Sequence, residues 1–168
     1  MSSKQIALVA IAVLFAFGSY FYWKSRPEQQ INKQIKSLVE TVEYRRVSLD
    51  NREARHETLR KVFAEKVSFE GSPPVPDGEM GIDTIIKRLD LLHTWTSWVE
   101  ITEIGREILI RDDDAQVRLD WSIKAAAGQN NKRTENWTIV LDFEESDGEW
   151  KITHLNAQSE GESAASEL

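Results

Sequence analysis

The sequence predicts an α+β domain, three helices packed on a curved, mainly antiparallel sheet, preceded by one transmembrane helix. Three observations carry this. An apolar run of 18 residues without a charge extends from Ile6 to Trp23. Apolar residues then recur at helical spacing as far as Leu92. From Trp98 the period changes to two, as in strands with one dry face.

As a helix, the apolar run is about 27 Å long, close to the hydrocarbon thickness of a bilayer. It closes on Tyr20, Phe21, Tyr22 and Trp23, whose amphipathic rings favour the headgroup level, and then on Lys24 and Arg26. Residues 1–5 therefore read as a short tail and 6–23 as a signal-anchor. The competing reading is a cleaved signal peptide, with Lys4 as its charge, Ile6 to Phe15 as its apolar core and Ala16-Phe17-Gly18 as its cut. Four aromatic rings just after such a cut favour the anchor. With no cysteine in the chain, a lipid-modified cysteine is excluded. The expected location is a membrane, crossed once (the inner or plasma membrane in a bacterium). The side stays open. Lys24, Arg26, Lys33 and Lys36 place the domain in the cytoplasm by charge, whereas a five-residue tail with one lysine also suits an exporting anchor.

After Arg26, 142 residues remain, enough for one domain with a core and too few for two. The domain is expected over 24–158, followed by a small, acidic, disordered tail at 159–168. Three of the 21 basic residues and none of the 28 acidic ones lie in the first 26, so the remainder carries a net charge of −10. That balance argues against nucleic acid as a partner and against lying flat on anionic lipid.

Ser25-x-x-Glu28, with Pro27 inside, reads as a capping box for the first helix, whose face is Ile31, Ile35, Leu38 and Val42. The anchor is expected to run almost directly into it. Asp50-x-x-Glu53 opens a second helix with Leu59, Val62 and Phe63 on its stripe. Val67-Ser68-Phe69 reads as a short strand, and Gly71 to Gly78, with three prolines, as a loop. The third helix carries Ile82, Ile85, Ile86, Leu89 and Leu92. Beyond Trp98, Val117, Leu119, Trp121 and Ile123 alternate with polar residues. So do Trp137, Ile139, Leu141 and Phe143, and then Trp150 and Ile152. Turns fall at Asp112-Asp113-Asp114, Gly128 to Asn131, and Ser146-Asp147-Gly148.

Three stretches carry a resemblance: Phe63 to Gly71 (FAEKVSFEG), Gly81 to Ile86 (GIDTII) and Asp147 to Leu155 (DGEWKITHL). With their order, they make residues 28–158 resemble the NTF2-like (SnoaL-like) superfamily of cone-shaped α+β domains. The resemblance implies a fold more than a function. Family members include dehydratases, isomerases and cyclases that use polar residues inside the cone. Others are binding modules, transport adaptors and membrane-tethered assembly subunits, and an anchor ahead of the cone looks most like the last group.

A cone enzyme needs an acid or base in an apolar cavity. His93 shares the stripe of Ile86 and Leu89; its plainer role is a helix-end histidine bonded to the last carbonyls. His154 shares alternation with Trp150 and Ile152, which points it inward; its plainer role is a core or rim histidine. Glu135 leads into Trp137 and Ile139, with an exposed rim carboxylate as the plainer reading. Convergence of these three would make an acid/base site. His56 borders a packing stripe, Glu103 sits near a bend at Gly105, and Asp120 belongs to the polar face. Asp112 to Asp114 read as an acidic turn rather than a metal site, and the sequon Asn136-Trp137-Thr138 is discounted because it falls in a strand. No phosphate loop, metal-spaced histidine pair or nucleophile motif is present, so no cofactor or metal is expected.

The function expected from these features is a single-pass, membrane-anchored domain without catalysis, serving protein assembly or small-ligand binding. Its partners would be the membrane through 6–23 and a second copy or membrane-complex subunit through the sheet face. The alternative is a membrane-tethered, cofactor-free lyase or isomerase using His93 or His154 as its base.

Overall fold

Pro27 sets the first helix: its fixed φ suits the first helical position, where no amide hydrogen is needed. Helix α1 (Pro27–Val42) buries Ile31, Ile35, Leu38 and Thr41 along one face. The computed structural model describes residues 26–45, 51–127 and 131–160. The expected membrane segment 6–23 and the tail beyond Glu160 lie outside them. Among the described residues, no helix is long and apolar enough to cross a membrane.

The expected capping boxes are not the observed caps. The N-cap of α1 is Arg26, extended at φ −65° and ψ 125°, and that of α2 (Arg52–Val62) is Asn51; neither side chain bonds the helix. Ser25 and Asp50 lie outside the described residues. How the segment before Arg26 meets α1 lies outside the described residues. Helix α2 buries Leu59 and Val62, and α3 (Ile82–Trp95) buries Ile85, Ile86 and His93. Phe63, expected on the α2 stripe, is buried but already begins a strand.

The strands are β1 (Tyr44–Arg45), β2 (Phe63–Gly71), β3 (Gly78–Gly81), β4 (Trp98–Arg111), β5 (Asp114–Ala127), β6 (Asn131–Ser146) and β7 (Glu149–Ser159). They form one sheet in the order β1-β4-β5-β6-β7-β2-β3, antiparallel except for β2 beside β7. Two findings extend the expectation. The strand read at Val67–Phe69 is nine residues long, and Gly78–Gly81, not anticipated, pairs with it across the proline loop. The sheet also reaches Ser159, opposite Trp137, one residue into the expected tail.

All three helices lie against one face. Helix α1 packs on β4 and β7, α2 on β2 and β7, and α3 on β2 and β3. The inward residues of β5 and β6 pair as Ala115–Phe143, Val117–Leu141, Leu119–Ile139 and Trp121–Trp137. Each of the eight is buried, and together they form the floor of the core. Besides a register shift between β2 and β7, from Phe63 opposite Ile152 to Ser68 opposite His154, two bulges interrupt the antiparallel ladder and bend the strands that carry them. One follows Glu103 in β4. The other lies in β7, where Asp142 opposes His154 but Phe143 opposes Ile152, leaving Thr153 as the extra residue.

Candidate functional site

The space between the helices and the inner face of the sheet is packed with rings. Trp121, Trp137 and Trp150 are 4%, 8% and 2% exposed, and Phe143, Leu119 and Leu141 fill the space between. The Trp137 indole donates to Oε2 of Glu135 at 3.3 Å. The Trp121 indole nitrogen is buried without a hydrogen-bond partner.

The three candidate side chains do not converge. His154 was expected to face inward with Trp150 and Ile152, but the bulge at Thr153 reverses the alternation. Leu155 and Ala157 take the inward positions, opposite Leu141 and Ile139, and His154 turns to the outer face opposite Asp142. There it borders two shallow depressions of 630 and 530 Å³ that share Gln116 and Asp142. Glu135 is an exposed rim carboxylate held by Trp137. Replacing His154 by Ala should change unfolding stability by less than about 0.5 kcal/mol, since the half-exposed ring fills no core space. A denaturant titration measures this.

His93 is the one buried candidate, at 7% exposure. Its Nε2 lies 3.2 Å from the carbonyl oxygen of Val42. A carbonyl only accepts, so Nε2 carries a proton and donates it. Val42 ends α1, and its carbonyl is one of those a helix leaves without an internal partner. His93 thus latches the end of α3 to the end of α1, rather than bonding its own helix. Burial pushes the imidazole below its ordinary pKa of 6.5, and the Arg55 charge adds to this; the Val42 bond and Asp90 oppose without reversing it.

The sign of the consequence follows from proton binding. As pH falls below about 6.5, the unfolded chain takes up a proton at this histidine that the folded chain refuses, so stability drops. The loss continues until the lowered folded pKa is passed. Urea unfolding at pH 8, 6 and 5 should show this decline, and His93→Gln should flatten it. A profile equally steep in the variant would assign the effect elsewhere.

A cluster that sequence reasoning missed joins α2 to α3. Arg52 donates to Oδ2 of Asp90 from Nε at 3.0 Å and Nη2 at 2.6 Å. His56 donates from Nε2 to the same carboxylate at 3.1 and 3.2 Å. Burial works to raise the Asp90 pKa, but these bonds and charges outweigh it and hold the carboxyl below 3.8. Its stabilising contribution is therefore present above that pH and lost as pH falls through the lowered value. Arg52 and His56 stand one turn apart on α2, the spacing that points two side chains at one partner. No single-helix pattern named Asp90 as that partner. His56, which borders the α2 packing stripe, thus bonds across to α3.

The remaining residues bond to neighbours within the fold. Glu103 binds Arg106 across the β4 bulge, and Arg106 also donates to Asn32 of α1. Asp120 accepts from Thr138 at 2.9 Å and lies 3.8 Å from Arg118. Asp112 to Asp114 turn β4 into β5, with Asp112 at φ 50°. Asn136 of the sequon sits in β6 and donates to Glu160. Among the described residues, no three His, Asp or Glu side chains converge on a position for a metal.

Helices on the inner face of a bent, mainly antiparallel sheet define an NTF2-like fold. Solved structures match it over most of the chain. An NTF2-like protein from Cytophaga hutchinsonii is 14% identical with a TM-score of 0.60, covering 80% of this chain and 98% of its own. An NTF2-like superfamily protein from Salmonella enterica is 16% identical with a TM-score of 0.61, covering 78% and 89%. A hexachlorocyclohexane dehydrochlorinase from Novosphingobium barchaimii is 11% identical with a TM-score of 0.63, covering 79% and 86%. At these identities the likeness establishes the fold and nothing finer. By sequence, the chain matches no family model and no curated protein.

Proposed function

We propose that this chain displays a noncatalytic NTF2-like domain at a membrane and works through protein assembly. The observation that carries this reading is the filled interior: Trp121, Trp137 and Trp150 are buried in the core cluster, and His93, His154 and Glu135 lie in three separate places. The apolar segment 6–23 supports the membrane part. The outward sheet face carries Gln116, Arg118, Thr138, Asp142, His154 and Asn156, so a contact through it would be hydrogen-bonded and wet rather than apolar. Cross-linking in intact membranes, followed by purification of the full-length chain, tests the reading. A second copy or a recurrent neighbour supports it; a chain that is monomeric and alone at every cross-linker length sinks it.

A second reading is an elimination enzyme acting on a small apolar substrate. The neutral state of His93 favours it, together with a structural neighbour named as a dehydrochlorinase. A neutral imidazole would take a proton from carbon while the bond to the leaving group breaks and a double bond forms. Activity that survives both His93→Gln and His154→Ala would end this reading.

A further inference from the structure

Among the described residues strand β4 has a long unpaired edge. Its neighbour on that side there is β1, whose two residues pair with Trp98 and Val99. The Glu43 carboxylate then accepts the Ile101 amide at 3.0 Å, as the next strand residue would. From Thr102 to Arg111 no strand among the described residues covers the edge. Natural proteins guard such edges, because unpaired amides and carbonyls template another strand. Here the bulge after Glu103 and the charges of Glu103, Arg106 and Glu107 interrupt the edge, yet Ile104 and Leu109 remain 64% and 50% exposed. Ile108 and Ile110 line a 420 Å³ groove between the edge and α1, with Glu28, Asn32 and Arg106.

The register with β5 fixes which backbone groups are free. Arg111 and Asp114 flank a two-residue turn, where the flanking pair bonds across the hairpin. Glu107, Leu109 and Arg111 therefore spend their amides and carbonyls on β5, and Ile108 and Ile110 turn theirs to the free edge. The side chains of Glu107 and Arg111 are exposed, and neither forms an ion pair among the described residues.

We propose that a second copy of this chain docks on this edge, its β4 running antiparallel about a two-fold axis through Leu109. The segment Glu107-Ile108-Leu109-Ile110-Arg111 is complementary to itself in that register. Glu107 meets the second copy's Arg111 twice, Ile108 meets Ile110 twice, and Leu109 meets Leu109 on the axis. The Ile108 and Ile110 backbones exchange hydrogen bonds, and their side chains enter the groove beside α1. Opposite charges in cross-strand positions favour this register over its neighbours, since centring on Glu107 places two carboxylates together. The pairing rests on the assembly reading above and names its partner.

The full-length chain in detergent micelles tests it, and its lack of cysteine makes single substitutions clean. Across a two-fold axis only an axial residue meets itself, in a pair about 4.5 Å apart at Cα, within disulfide range. Leu109→Cys should form an interchain disulfide under mild oxidation, and the more exposed Ile104→Cys should not. Glu107→Arg and Arg111→Glu should each weaken self-association about tenfold, by facing like charges. Mixing the two variants, or combining both changes in one chain, should restore it. Equal cross-linking at 104 and 109, or mixtures no tighter than either variant alone, overturns the pairing. If a different protein cross-links to the chain while Leu109→Cys never pairs, the edge proposal falls and the assembly reading stands. A chain that is monomeric throughout and turns over a substrate overturns both.

Discussion

Trp150→Ala should destabilise the domain by about 3–5 kcal/mol, the usual cost of truncating a buried aromatic residue to alanine. Trp150 is 2% exposed and sits at the start of β7, directly opposite Glu145 of β6. Its carbonyl accepts from Gln34 of α1 at 3.2 Å, so the residue is tied to the helix layer as well as to the sheet. Truncation removes the ring contacts and leaves a space that the surrounding Phe143 and Ile152 close only in part, because strands pinned by ladder bonds relax little. Urea or thermal unfolding measures the loss, expected as a fall of about 10 °C or more in Tm. The same variant bears on function. If the interior is a packed core, indole should occupy the new space and raise the Tm of Trp150→Ala while leaving the parent unmoved. Stabilisation of the parent by indole would mean that the cone already takes ligands, and the noncatalytic reading would lose its main support.

What was legible in the sequence were the long, one-faced elements. Strands β5 and β6 alternate without interruption from Val117 to Ile123 and from Trp137 to Phe143, and α1 and α3 carry stripes at helical spacing, although Leu92, read on the α3 stripe, is 39% exposed and His93 is buried in its place. These patterns reflect burial on one side, which composition records directly. Local exceptions were not legible. Strand β2 reaches nine residues through pairing with β7 at Phe63 and again from Ser68 to Gly71, and with β3 from Lys66 to Phe69; its middle, Ala64-Glu65-Lys66, carries no alternation to announce it. The bulge at Thr153 has no composition of its own, so His154 was placed on the wrong face by a one-residue phase shift. Asp90 and its two partners come from different helices, and pattern within one helix cannot join them. The filled interior was half visible: five tryptophans were there to count after Arg26, but only the fold shows that Trp121, Trp137 and Trp150 are inside while Trp95 is 70% exposed.

Gly71→Ala should be as damaging as the loss of a core ring, for a reason that lies in the backbone. Gly71 ends β2 at φ 150°, beside Ala157 of β7, and the next residue donates its amide to the Ala157 carbonyl at 2.9 Å. A methyl group at position 71 would stand 2.0 Å from that carbonyl oxygen and 2.9 Å from its carbon. No rotamer change relieves contact with a main chain, so β2 must shift against β7, at the one parallel junction of the sheet. A loss of about 3 kcal/mol or more is expected, the sum of an unfavourable φ and a displaced ladder. Gly148→Ala isolates the first part. It also has a positive φ, 79°, but its added methyl meets nothing within 4 Å, so only the conformational cost of about 1 kcal/mol remains. Denaturant midpoints of the two variants therefore separate strain from collision. If Gly71→Ala is no worse than Gly148→Ala, the close approach of β2 and β7 is softer than described. Adding Ala157→Gly should not rescue it, because the collision is with the Ala157 backbone and not with its side chain.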